Sequence, residues 1–91
     1  MADAPILKWV PYWVRNYGQP GVGEQRAVQD FVDCETMEAW RGFESELMAI
    51  ASGSVPEKTL DGLVGVARRV KFNSYEEWAK MMVAWLASSR R

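Results

Sequence analysis

Histidine is absent from this 91-residue chain, and cysteine occurs once. Without histidine the chain lacks the side chain that titrates nearest neutral pH, the commonest general base and the commonest metal ligand. A zinc site needs clustered Cys and His, and one Cys does not supply it. A single cysteine also rules out an intramolecular disulfide, which favours a reducing compartment. That residue, Cys34, lies between Asp33 and Glu35, whose negative charge works against a nucleophilic thiolate; it reads as buried or incidental. No run of about 18 uninterrupted apolar residues is present, so no membrane-spanning helix is expected. Met1-Ala2-Asp3-Ala4-Pro5 lacks the basic start and apolar stretch of a secretory signal. No internal repeat or low-complexity segment is visible. Together these absences point to a cytoplasmic, non-enzymatic protein with no metal, no cofactor and no small-molecule substrate.

What is present is aromatic. Five Trp, three Tyr and three Phe are a heavy endowment for a chain of this length, and each large ring can bury about 150–250 Å². Hydrophobic content of 48% and charged content of 25% are ordinary for a folded domain, and the length suits a single one. The net charge of −1 hides a division. Residues 24–56 carry seven acids against Arg26 and Arg41, a net of −5, whereas residues 57–91 sum to +3. Such halves attract one another within a fold, or an acidic face on one copy meets a basic face on another.

The most legible stretch runs from Pro56 to Leu86. Pro56 suits a first helical turn, and Leu60, Leu63, Val64, Ala67 and Val70 then recur at helical spacing. Phe72-Asn73 interrupts the pattern. Ser74-Tyr75-Glu76-Glu77 has the form of a capping box, and Tyr75, Trp78, Met82 and Trp85 continue the apolar stripe. The pattern predicts an antiparallel helical hairpin over 56–88. Val64, Val66, Val70 and Phe72 also alternate as in a strand, and Gly62 and Gly65 each weaken a helix by about 1 kcal/mol. The helix is preferred because it leaves Arg68 and Arg69 free for solvent; the two glycines would then admit a close neighbour.

Upstream, the segment from Ile6 to Tyr17 holds four aromatics and must be buried somewhere. It reads as a short helix from Pro11 ending at Gly18, a residue suited to the left-handed position after a helix, with an extended strand from Ile6 to Val10 as the neighbouring reading. Gly18-Gln19-Pro20-Gly21-Val22-Gly23 is a loop, its Pro-Gly suited to a type II turn. It resembles a phosphate loop only in its glycines: no Lys-Ser/Thr follows, and Glu24 carries the wrong charge. Glu24 should open an acidic helical region, 24–52, in which Ala27, Val28, Phe31 and Val32 form one apolar face. Met37, Trp40, Phe43, Leu47, Ile50 and Ala51 form another, ended by Gly53. The phase allows one long helix, but a break near Asp33–Cys34, with Asp33 as N-cap, is preferred.

The expectation is therefore a single all-α domain, residues 1–91, of four to five helices built around the C-terminal hairpin. Its core should hold Phe31, Trp40, Phe43, Leu47, Leu60, Leu63, Val64, Trp78, Met82 and Trp85. Asp30/Asp33 and Glu35/Glu38 are spaced three apart, as carboxylates sharing a helix face would be, but no calcium-loop pattern surrounds them. The expected function is binding of another macromolecule, most readily a protein partner or a second copy, as an adaptor, inhibitor or assembly subunit. Trp9, Tyr12, Trp13 and Tyr17 are the candidate aromatic anchors. Arg68, Arg69, Lys71, Glu35 and Glu38 are the candidate electrostatic contacts. The alternative is nucleic-acid binding through basic helix ends. The pI of about 5.4 and a would-be recognition helix that opens with Glu76 and Glu77 both weigh against it.

Overall fold

The computed structural model describes residues 7–19 and 21–89. Six helices occur among them: α1 (Trp9–Asn16), α2 (Glu24–Cys34), α3 (Met37–Ala51), α4 (Glu57–Leu63), α5 (Val66–Phe72) and α6 (Tyr75–Ser89). No strand occurs among the described residues. The predicted strand from Ile6 begins outside them, as do Pro20 of the loop, Arg90 and Arg91.

The apolar spacing read as one arm of a hairpin is two short helices. Leu60 O accepts from both Val64 N (2.8 Å) and Gly65 N (3.2 Å) as α4 ends. Gly65 then takes φ +110°, a conformation that L side chains rarely adopt, and α5 starts afresh. That break raises the helix count above the four or five expected. Asn73, at φ +77°, turns the chain between α5 and α6, a role asparagine tolerates. The Ser74 cap forms, its Oγ accepting from Glu77 N at 3.1 Å. α6 is the centre of the fold, but it packs most extensively on α3 and then on α2, and less on α5.

Four further expectations are corrected. α1 begins at Trp9, two residues before Pro11; Pro11 is still within the first turn, where no intrahelical N–H is needed. The α2–α3 break falls at Glu35–Thr36, and Thr36, not Asp33, caps α3 by accepting from Ala39 N at 3.2 Å. Asp33 accepts instead from Gln29 Nε2 one turn back. Gly62 and Gly65 admit no close neighbour, since a Cβ at either would meet nothing within 4 Å. The tight approaches are at Gly18, where a Cβ would lie 2.5 Å from Trp13 Cζ3, and at Gly42, where it would overlap the Trp9 indole. Gly18 does not take the left-handed conformation; it is glycine for space. Gly53 does, at φ +79°, and ends α3 as expected.

The core is a ring cluster. Trp13, Phe31, Phe43 and Trp78 are fully buried. Trp13 stacks on Phe43 at 5.7 Å between centroids, and Phe43 meets Phe31 at 4.8 Å. Leu47, Leu60, Val64 and Met82 complete the expected set, while Trp40, Leu63 and Trp85 are half-buried at its margin. Val10, Ile50, Tyr75 and Leu86 are buried as well.

Candidate functional site

α5 is a helix with little to bury. Of its seven residues, Val66, Ala67, Val70 and Lys71 are exposed, and none is fully buried. Val66/Val70 and Ala67/Lys71 are both i,i+4 pairs, so they form one continuous solvent face of three apolar groups and a cation. Val70 is 72% exposed, the highest value among the large hydrophobic residues of the described chain.

The opposite side of α5 is tied down by charge. Arg68 donates from Nε (2.8 Å) and Nη2 (2.9 Å) to the Glu24 carboxylate, from Nη2 to Gly18 O (2.6 Å) and from Nη1 to Val64 O (3.2 Å). Its guanidinium stands 5.3 Å from the Trp13 ring. Four of its five N–H groups are thus engaged inside the fold. Glu24 also accepts from Trp78 Nε1 at 2.7 Å, so one carboxylate joins α2, α5 and α6. Arg69 pairs with Glu57 at 2.8 Å and with Asp61 at 3.8 Å. Asp61 in turn accepts from Tyr75 Oη at 2.6 Å. Burial and that carboxylate push the Tyr75 hydroxyl up to about 12. The expectation that Arg68 and Arg69 are free for solvent is therefore corrected. Of the three cations grouped by sequence, Lys71 alone has no carboxylate partner among the described residues; its ammonium lies 5.5 Å from the Phe72 ring.

Beside α5 opens a cleft of about 270 Å³. It is lined by Gly18, Gly21 and Val22 of the loop wall, by Ala67, Lys71 and Phe72 of α5, and by the Glu24–Arg68 pair. The loop wall is shaped by a turn in which Val22 N donates to Gln19 O at 3.2 Å and Gly21 takes φ +91°, a conformation open to glycine.

The N-terminal aromatics are spent differently. Trp13 has no exposed surface and donates from Nε1 to Ala27 O at 3.3 Å, so its ring is core. Tyr12 and Tyr17, both half-buried, donate to the same Glu35 oxygen at 2.8 Å and 2.5 Å. That carboxylate raises the Tyr12 pKa, and burial followed by the same bond raises that of Tyr17. Trp9 is half-buried, with the Lys8 ammonium 4.8 Å from its ring. α1 has no side-chain cap of its own; Glu46 of α3 supplies one by accepting from Lys8 N, Trp9 N and Val10 N at 2.8–3.0 Å. Glu35 is thus engaged internally, whereas Glu38 is exposed. Cys34 is exposed, not buried. Asp30 pairs with Arg26, and no group of three or more Cys, Asp or Glu among the described residues is positioned to hold a metal ion. No helix among the described residues is long and apolar enough to cross a membrane.

Sequence reasoning missed Glu24, Glu46 and Gly18 as structural centres. Their partners lie far along the chain, 44 residues for Glu24–Arg68 and 54 for Glu24–Trp78, and nothing in local spacing marks them. No family model matches this chain, and neither a curated protein nor a solved structure matches it significantly.

Proposed function

We propose that this protein is a non-enzymatic protein-binding module, an adaptor, inhibitor or assembly subunit, whose docking face is the exposed side of α5 and the cleft beside it. The observation that carries the reading is the solvent face of α5: three apolar side chains and one cation, held outward by a helix whose inner side is anchored through Arg68. A helix stabilised by hydrophobic burial alone would turn Val66 and Val70 inward. The cleft, at about 270 Å³, is smaller than the roughly 300–1,000 Å³ of small-molecule sites. It suits one anchoring side chain of a protein partner. The N-terminal aromatics contribute by supporting the cleft: Trp13 lies under Gly18, while Trp9, Tyr12 and Tyr17 secure α1 against α2 and α3. Nucleic-acid binding draws less support, because Arg68 and Arg69 are engaged by carboxylates of the same chain.

The test is affinity capture from host lysate, with and without nuclease, using the wild type and Val70→Asp. A stoichiometric protein that survives nuclease and is lost from the Val70→Asp variant supports the reading. Nucleic acid alone, lost after nuclease, or a protein retained equally by both forms, overturns it. Val70 is exposed, so the substitution should leave the helical circular dichroism intact.

A further inference from the structure

The acid and base division of the sequence acquires a specific geometry at the two ends of α2. We infer that the cleft beside α5 receives the α2–α3 corner of a second copy of this chain, with Met37 as the side chain that enters it. This rests on the reading of the cleft as a docking site.

Met37 is the first residue of α3 and is 57% exposed. Asp33 and Glu38 flank it, both exposed, and no Lys or Arg occurs between Arg26 and Arg41. The corner is therefore an exposed apolar side chain among Asp33, Glu38 and, one turn on, Arg41, with acids in the majority. The cleft has the complementary character. Val22, Ala67 and Phe72 line it with apolar surface. Of its three charges, Glu24 and Arg68 neutralise one another in a two-point ion pair, which leaves Lys71 as a net positive charge on the rim. Methionine is unbranched and polarisable, and it fills irregular apolar gaps that a branched side chain would not. Asp33 and Glu38 would then approach Lys71, fixing register more than adding affinity.

The same chain cannot supply both parts. Glu24, in the cleft, and Cys34, at the corner, stand at opposite ends of α2, about 15 Å apart at 1.5 Å per residue. The contact is consequently between copies and joins unlike surfaces; where it closes neither as a reciprocal two-fold pair nor as a ring, it leaves one free cleft and one free corner to which further copies add. A net charge of −1 opposes association only weakly. A single knob in a small cleft gives an interface at the low end of the size range, and so a transient one.

Sedimentation velocity on the full chain tests this. In low salt the weight-average sedimentation coefficient should rise continuously from about 10 μM to about 1 mM, and the rise should shrink at high salt. Met37→Asp, which keeps an acid-tolerant first turn in α3, should abolish the rise; so should Lys71→Glu. Lys71→Gln, which removes the charge without reversing it, should weaken the rise and reduce its salt dependence, and serves if the reversal disturbs α5. An equimolar mixture of Met37→Asp and Lys71→Glu should associate again but stop at the dimer, because the intact cleft of the first accepts the intact corner of the second. A wild type that stays monomeric, an association indifferent to both substitutions, or a mixture that does not recover overturns the second-copy occupant. If Val70→Asp still releases a captured host protein in any of those cases, the exposed face of α5 remains a docking site with another occupant. If it does not, the docking reading fails as well.

Discussion

Replacing Arg68 with methionine is the perturbation most tightly determined by the geometry. Methionine keeps much of the aliphatic packing against Trp13 and removes the guanidinium, so the loss is chiefly one of charge and hydrogen bonds. The Glu24 side chain is 9% exposed and Arg68 17%, and the carboxylate would keep Trp78 Nε1 as its remaining partner. Removing one member of a buried pair costs about 3–5 kcal/mol because the other charge is left uncompensated. The residual solvent access and the Trp78 bond argue for the lower end, about 3 kcal/mol. For a domain of this size that corresponds to a fall in Tm of roughly 12–24 °C. Glu24→Met should cost a similar amount by stranding the guanidinium. The double variant Glu24→Met/Arg68→Met removes both charges and should be far less damaged than the two single effects combined. Trp78 Nε1 and Gly18 O would be its main orphaned groups, for a net cost of about 1–2 kcal/mol. Urea denaturation of the four proteins yields the coupling energy directly, with an expected magnitude of at least about 2 kcal/mol. Single variants that each lose less than about 0.5 kcal/mol and add without coupling would refute the assignment of this pair as the tie between α2 and α5.

Glu46→Ala removes the shared cap of α1 and should cost about 1–2 kcal/mol; amide exchange should accelerate first over residues 8–16, and unchanged protection there would refute the capping role. Gly18→Ala should destabilise more than Gly42→Ala, because a Cβ at Gly18 meets the fully buried Trp13 and the engaged Arg68, whereas Trp9 at Gly42 is half-buried and can swing outward; equal melting temperatures would contradict this. Tyr75 ionises at about 12 in the folded protein against about 10 when unfolded. The unfolded state therefore loses its proton first as pH rises, and the stability contributed below pH 10 should disappear between about pH 10 and 12. Tyr75→Phe should flatten that part of the urea-midpoint profile, and a profile identical to wild type would show that this hydroxyl does not govern it.

The helices themselves were legible because their causes are local. Apolar spacing over three and four residues, the Ser74 cap and Gly53 each act within a turn or two, and α2 starts at Glu24 and α3 stops before Gly53 as that spacing requires. The break at Gly65 was less legible because Leu60, Leu63, Val64 and Ala67 keep helical phase across it; only the positive φ of the glycine separates α4 from α5. The same limit explains the misplaced α3 cap, since Asp33 and Thr36 are both good N-caps and the choice depends on where Phe31 and Phe43 meet. What the carboxylates do was decided entirely by tertiary structure. Glu24, Glu35 and Glu46 read as one acidic surface, yet each meets donors 18 to 54 residues away that folding alone brings within reach. The candidate site follows from that rearrangement. By engaging Arg68 and Arg69 internally, the fold leaves Lys71 and the valines of α5 to face solvent, a division that the run Arg68-Arg69-Val70-Lys71 does not reveal, because charge is written in the sequence and its neutralisation is not.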